Sequence, residues 1–279
     1  MTSHADTRES LLSRLAVDPA SRTMGVRFLG REAGSDAISY GQEVSSWQLD
    51  RRSRIGVATI GVLVDAALGS AAYAALEHTD LEFVVSHLSV SLAPSVAGGR
   101  RLVSAVGRPE QIDVARQMVM SSARMTTGGE LLGTAACRAL GVSRPRDPAT
   151  ICSAVQDPAA AGDPGTGLAS TGQADLRTAW IPRPWMGNGL GTVQGGVVLG
   201  CAAIVAEQVA ALDPRAAHGQ AVDLSLEILR SPVADGSTEY VWTSEVLRRG
   251  RRLTVIDTRL ADLGGRVLAQ STATVLTSD

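Results

Sequence analysis

The stretch 187–200, GNGLGTVQGGVVLG, holds five glycines in its first ten residues and then turns apolar. A dinucleotide-binding loop requires GxGxxG directly after a strand, and a P-loop requires GK[ST]. This stretch reads GxGxG, lacks GK[ST], and follows AWIPRPWM, whose two prolines do not fit a central strand. We therefore interpret it as a glycine turn that leads into a buried helix, and not as a nucleotide site.

The overall composition excludes several function classes. The 279 residues carry a net charge of −2 and only 3% aromatic residues, which argues against a basic, base-stacking surface for nucleic acid. The three cysteines form no CxxC and the four histidines no HxxxH, so a zinc site is not expected. We predict reduced thiols, a cytoplasmic location, no metal and no cofactor.

Two stretches, 55–76 and 186–206, are long and apolar enough to cross a bilayer. Both are rich in alanine and glycine, and the first contains Asp65, a carboxylate that would be costly at the centre of a membrane. We interpret both as core helices and predict no membrane partner.

The chain repeats itself. An apolar helix at 61–76 precedes 86–99 (SHLSVSLAPSVAGG), and an apolar helix at 195–212 precedes 222–236 (VDLSLEILRSPVADG). The segments 128–142 and 264–278 also match, and all three pairs lie about 137 residues apart. We infer a duplication, with one unit over 20–143, a Pro/Gly-rich linker over 144–172 and a second unit over 173–279.

Each unit places strands around its long helix. The second unit predicts strands at 221–229, 238–247, 252–261 and 266–276; the first adds 24–32 and 37–45 before its helix. Glycine-containing turns between them indicate antiparallel hairpins. In one strand, one face would hold Thr254, Ile256, Thr258 and Leu260. The prediction is an α+β fold, in which two sheets join edge to edge and the two helices lie side by side.

The glycine stretch resembles the NGxxxxHGG signature that opens the central helix of hotdog-fold acyl-CoA thioesterases, particularly the phenylacetate-pathway type. The matching residues are Asn188, Gly189, Gly195 and Gly196, and Gln194 stands at the histidine position. In that family a carboxylate lies nine residues after the histidine position, where this chain has Ala203. The first half has this carboxylate. In GVATIGVLVDAALG, Gly56 stands at the histidine position and Asp65 lies nine residues after it, while Asp50 stands at the asparagine position.

The resemblance implies a tandem (double) hotdog, each half a long central helix wrapped by an antiparallel β-sheet. It also implies active sites shared between halves, with the carboxylate from one half and the helix N-terminus from the other. One complete site would combine the residues Asp65, Asn188, Gln194, Gly195 and Gly196. The second would combine Ala203 with Asp50 and Gly56 and would lack its carboxylate.

These residues fit thioester hydrolysis. The first N–H groups of a helix have no internal partner, so Gly195 or Gly196 can donate to the carbonyl oxygen as negative charge develops there. Burial should raise the pKa of Asp65 and suit it to act as base, or it could attack as nucleophile. Asn188 would orient water or carbonyl, and Gln194 can form hydrogen bonds but cannot carry a proton.

Other residues and readings stay open. Ser86 and His87 follow the Asp65 helix and are candidates for assisting residues, although a shift of one residue in register would turn either away. We expect room for an acyl chain between the helices, beside the small residues Ala66, Ala67, Gly69, Gly200, Ala202 and Ala203. The expected substrate is an acyl thioester of CoA or acyl carrier protein, and the resemblance implies a homodimer of double hotdogs. Alternatives are a non-catalytic acyl-thioester-binding protein and a hotdog dehydratase or hydratase.

Overall fold

The computed structural model describes residues 18–32, 34–50, 52–76, 81–93, 101–143, 168–170, 176–213 and 219–277. Apart from Leu168–Ser170, the predicted linker lies outside these residues. The helices are α1 (Pro19–Thr23), α2 (Val57–Ala75) and α3 (Gly195–Ala210), with 3₁₀ turns at Ser46–Gln48 and Pro184–Met186. The strands are β1 (Val26–Arg31), β2 (Ile38–Val44), β3 (Leu81–Leu92), β4 (Arg101–Asp113), β5 (Met118–Thr127), β6 (Glu130–Ser143), β7 (Leu168–Ser170), β8 (Arg177–Trp180), β9 (Gln220–Ile228), β10 (Tyr240–Arg249), β11 (Leu253–Asp262) and β12 (Val267–Leu276).

The strands form one antiparallel sheet in the order β1-β2-β4-β5-β6-β3-β9-β12-β11-β10-β8-β7. The order of the last six strands mirrors that of the first six, so each strand of one half has a counterpart in the other. The halves meet where β3 pairs with β9, from His87 opposite Glu227 to Ser91 opposite Asp223. This pairing covers one exposed edge of each half-sheet, as the sequence predicts.

The two long helices pack against the sheet and against each other. α2 packs against β2 to β6, and α3 packs against β9 to β12. Both are apolar around their whole circumference and are mostly buried, which is typical of helices inside a protein. By length and composition α2 could also cross a membrane, but most of it lies buried against its own sheet.

The two helices cross in opposite directions with their backbones in contact. A Cβ on Gly61 would overlap the carbonyl oxygen of Gly196, and a Cβ on Gly196 would overlap that of Gly61. One turn further along α3, a Cβ on Gly200 would lie 3.2 Å from the Cα of Ala58. The expectation that small residues leave acyl-chain room between the helices is therefore wrong at this crossing, because here they let the backbones touch.

Most predicted elements are present with shifted ends. α2 begins at Val57 instead of residue 61, because the apolar run already starts near Ile55. The predicted inward face of β11 is confirmed, since Thr254, Ile256, Thr258 and Leu260 are all buried. The sequence did not single out β4 and β5, whose alternating pattern carries many polar residues.

The helix crossing generates a prediction about stability. Gly61→Ala should destabilise the protein by about 1–3 kcal/mol or more, because its methyl group must push the Gly196 backbone away. Gly69→Ala is the matched control in the same helix, since nothing lies within 4 Å of its added Cβ. Gly69→Ala should raise the free energy of unfolding by up to about 1 kcal/mol, because alanine has a higher helix propensity than glycine. Urea unfolding of both variants tests this, and equal effects would contradict the close crossing.

Candidate active site

The glycine stretch forms a tight loop that fixes where α3 begins. Gly187 and Val193 form an isolated antiparallel bridge, and Thr192 bridges to Val233. The Gln194 N–H donates to the Met186 carbonyl at 3.0 Å, which closes the loop on the preceding 3₁₀ turn. Gly191 has φ of +72°, a left-handed conformation that favours glycine.

The Asn188 side chain builds this loop. Its Oδ1 accepts hydrogen bonds from the N–H groups of Leu190 at 2.8 Å and Thr192 at 3.3 Å. Asp50, which precedes α2 at the corresponding place, accepts in the same way from the N–H groups two and four residues ahead, both at 2.8 Å. The two residues therefore play one structural role in the two halves. The Asn188 oxygen is engaged in its own loop and is not turned towards Asp65.

The N-terminus of α3 presents its first N–H groups to Asp65 of α2. The N–H groups of Val197 and Val198 donate to the Gln194 carbonyl. The Gly196 N–H donates to Asp65 Oδ2 at 3.0 Å. A Cβ on Gly195 would lie 3.3 Å from the same oxygen, so the first turn of α3 touches the carboxylate directly.

Asp65 is a buried carboxylate, with 8% of its surface exposed. Burial raises its pKa to about 6, against the opposing effect of hydrogen bonds from the Gly196 and Gly195 N–H groups. Cys137 of β6 is close enough to interact electrostatically with Asp65. Burial and, second to it, the negative charge of Asp65 raise the pKa of that thiol to about 12, so the thiol is neutral. Among the described residues no cluster of His, Cys, Asp and Glu could hold a metal ion.

Residues 181–276 match the family model described as the acyl-CoA thioesterase N-terminal domain. The matched segment covers about a third of the chain and lies in its C-terminal half. We found no significant match among curated proteins. The thioesterase-family segment includes the whole glycine loop and α3, and it is the half that lacks its own carboxylate at Ala203.

Solved structures show the same fold over most of the chain. A candidate oleoyl thioesterase from Lactobacillus plantarum superposes with a TM-score of 0.62 at 11% identity, covering 88% of this chain and 98% of that one. An acyl-ACP thioesterase from Bacteroides thetaiotaomicron superposes with a TM-score of 0.58 at 12% identity, covering 86% of this chain and 98% of that one. A hotdog-fold protein of unknown function from Alicyclobacillus acidocaldarius superposes with a TM-score of 0.56 at 16% identity, covering 92% of this chain and 97% of that one. The thioesterase-family domain thus lies within a hotdog-type fold.

Gln194, at the N-cap of α3, contacts a residue that sequence reasoning missed. Its Nε2 donates to Asp18 Oδ2 at 3.3 Å, and its buried Oε1 has no hydrogen-bond partner among the described residues. Burial raises the pKa of Asp18 to about 7, and the nearby Asp65 charge contributes. Asp18 followed by Pro19 is a recognisable helix start, but only the fold shows that this short helix lies against the thioesterase-family domain.

Neither assisting candidate joins the site. Ser86 is the extra residue of a β-bulge in β3, and its hydroxyl donates to the Arg138 carbonyl at 3.1 Å. After the bulge Leu88 and Val90 are buried. His87 therefore faces the opposite side of the sheet, where its Nε2 lies 3.1 Å from the Ser225 hydroxyl. The bulge shifts the side-chain alternation by one residue, which the sequence pattern does not show.

The corresponding place at the N-terminus of α2 lacks a carboxylate. Ala203 is buried, and the Gly56 N–H donates to Thr59 Oγ1 at 3.2 Å and not to a carboxylate. Asp50 is engaged with its own loop and with the Arg54 guanidinium at 2.7 Å. The second arrangement therefore has the loop and the helix but not the acid.

The burial of Asp65 generates a prediction about stability. With a pKa of about 6 in place of 3.8, its ionisation costs the folded state about 3 kcal/mol. The wild-type protein should lose this stability as pH rises from about 4 to about 6, because the unfolded state releases its proton first. Asp65→Asn does not titrate, and it should be more stable than wild type at pH 8 but not at pH 4. Urea unfolding at both pH values measures the difference. A variant less stable at pH 8 would mean that Asp65 serves mainly to cap α3.

Proposed function

We propose that this protein hydrolyses acyl thioesters at one composite site between its two halves. The observation that carries the proposal is the hydrogen bond from the Gly196 N–H of α3 to the Asp65 carboxylate of α2. It places a buried acid of raised pKa against a helix N-terminus whose first residues have no side chains. Such a pair supplies an acid–base group and an electrostatic site for developing negative charge.

We further propose that the chain is a tandem hotdog of two units, 20–143 and 173–279, joined by the 144–172 linker. The mirrored strand order supports this, as do the equivalent roles of Asp50 and Asn188 in their loops. Each unit then supplies one helix N-terminus to a shared site, and only the Asp65 site is complete.

The α3 N-terminus would bind the carbonyl oxygen of the thioester. Gly195 is the first helical residue and is partly exposed, and its N–H, which also faces Asp65, would be shared with the substrate carbonyl oxygen. The helix dipole places partial positive charge there, and a preorganised donor of this kind is typically worth about 3 kcal/mol in the barrier. The Gly196 N–H meanwhile holds Asp65 beside the reacting carbon.

Asp65 would act as general base or as nucleophile. As base, it takes a proton from water while the water oxygen bonds to the carbonyl carbon; the C–S bond then breaks and the departing thiolate takes up a proton. As nucleophile, its oxygen bonds to the carbonyl carbon and expels the thiolate, and water then cleaves the anhydride. Both routes give a carboxylic acid and a free thiol, and both require the ionised carboxylate.

The substrate carrier would be CoA or acyl carrier protein. The family description names acyl-CoA, and a structural relative is an acyl-ACP thioesterase. The likeness to the phenylacetate-pathway type rests on the glycine signature, and the homodimer and the cytoplasmic location are further proposals. Gln194 in place of histidine favours one other function, acyl-thioester binding without turnover, because an amide cannot transfer a proton.

Substitution of Asp65 tests the proposed function. Wild-type protein should release thiol from at least one member of a panel of aromatic and aliphatic acyl-CoAs, and Asp65→Asn should lower kcat/KM about 100-fold or more. Asp50→Asn is the matched control, since asparagine already fills that role at position 188 and the control should keep its activity. Tight acyl-CoA binding without release would support the binding protein instead.

The pH profile provides a separate prediction. Because Asp65 must be ionised, kcat/KM should fall as the pH drops through a pKa of about 6. The measurement is the initial rate of thiol release between pH 4.5 and 8 under conditions where the protein stays folded. A profile without an acidic limb near this value would exclude Asp65 as base or nucleophile.

A further inference from the structure

The two ends of the Gln194 amide have different surroundings. Nε2 donates to Asp18 Oδ2 at 3.3 Å and lies 3.5 Å from the Ser21 hydroxyl. Oε1 is buried and has no partner among the described residues, and the residue as a whole is only 5% exposed. A buried acceptor without a partner costs about 1–3 kcal/mol, so this atom is poised to accept a hydrogen bond from a group that enters the site.

Asp18 uses its two oxygens for two different contacts. Oδ1 accepts the Ser21 N–H at 2.6 Å and caps α1, while Oδ2 accepts from Gln194. The Ala20 N–H donates to the Gly187 carbonyl at 3.3 Å, which ties α1 to the glycine loop. Asp18, which precedes the first unit, thus reaches the N-cap of α3 and interacts electrostatically with Asp65.

An amide presents nearly the same shape when its oxygen and nitrogen exchange places, so its neighbours decide its orientation. An ionised carboxylate only accepts hydrogen bonds. Asp18 therefore selects the orientation in which Nε2 faces it and Oε1 faces away. Without the Asp18 carboxylate the Gln194 amide can adopt both orientations. In one of them Nε2, a donor, would occupy the position of the acceptor Oε1.

We propose that Asp18 is a positioning residue for hydrolysis, which holds the Gln194 amide so that Oε1 accepts a hydrogen bond from the attacking water beside Asp65. This role rests on the proposed function. The water would donate one proton to Gln194 Oε1 and the other to Asp65, which leaves an oxygen lone pair for the carbonyl carbon at Gly195. Gln194 thus orients the water, and the proton still passes to Asp65.

The direct test is Asp18→Asn at pH 8, above the pKa of about 7 that burial gives Asp18. Asparagine keeps an oxygen to cap α1 but can also donate, so it no longer selects the amide orientation. We expect kcat for thiol release to fall about 10- to 100-fold with little change in KM, because the water and not the substrate is misplaced.

A double-mutant cycle separates positioning from a structural role. Gln194→Ala should lower kcat by a similar factor, and Asp18→Asn added to it should cause little further loss. If Asp18 only anchors α1, the two losses would instead multiply, and that result would overturn the proposal. Unchanged kcat in Asp18→Asn would overturn it as well.

A signature independent of turnover comes from NMR. The Gln194 side-chain NH₂ resonances, assigned by their loss in Gln194→Ala, should shift and exchange faster with solvent in Asp18→Asn. If the Gln194 side-chain resonances do not shift in Asp18→Asn, the hydrogen bond between Gln194 and Asp18 is contradicted. If wild-type protein releases no thiol while these resonances do shift, the hydrolytic function and the catalytic role of Asp18 both fall and only the contact stands. Wild-type turnover with an unaffected Asp18→Asn overturns the role of Asp18 alone.

Discussion

The backbones of α2 and α3 touch at Gly61 and Gly196, and the candidate site depends on this contact. It brings the α3 N-terminus within hydrogen-bond distance of Asp65, one helical turn beyond Gly61. A side chain at either glycine would separate the helices and withdraw the acid from the first N–H groups of α3. The same contact packs the two halves together above the β3–β9 junction of the continuous sheet.

The electrostatics of the site follow from this packing. Two carboxylates, Asp65 and Asp18, lie near one helix N-terminus, and burial raises the pKa of both. Three features soften the cost of placing charge there: the N–H groups of Gly195 and Gly196, the Ser21 N–H and the Gln194 amide. Keeping an ionisable acid in an apolar helix lowers stability at neutral pH, which is typical of residues retained for a chemical role.

The two halves keep the same loop and helix but different chemical groups. Asp50 and Asn188 close their loops through the same pair of backbone contacts, yet only α2 carries an acid at the position that faces the opposite helix. In the proposed tandem arrangement one complete combination is sufficient, because each proposed site takes one part from each half. The absence of a carboxylate at Ala203 therefore leaves the Asp65 site intact, and the Gly56 N–H donates to Thr59 Oγ1 instead.

The sequence by itself determined the two buried helices and most strands, because hydrophobic periodicity is local in the chain. The pairing of Asp65 with the glycine stretch came from the resemblance to hotdog thioesterases. Only the tertiary structure decided which side chains reach the site. The bulge at Ser86 turns His87 to the far face of the sheet, and Asn188 spends its oxygen on its own loop. Asp18 reaches Gln194, 176 residues away. A contact between segments so distant depends on how the helices and the sheet pack, and no short-range pattern in the sequence specifies that packing.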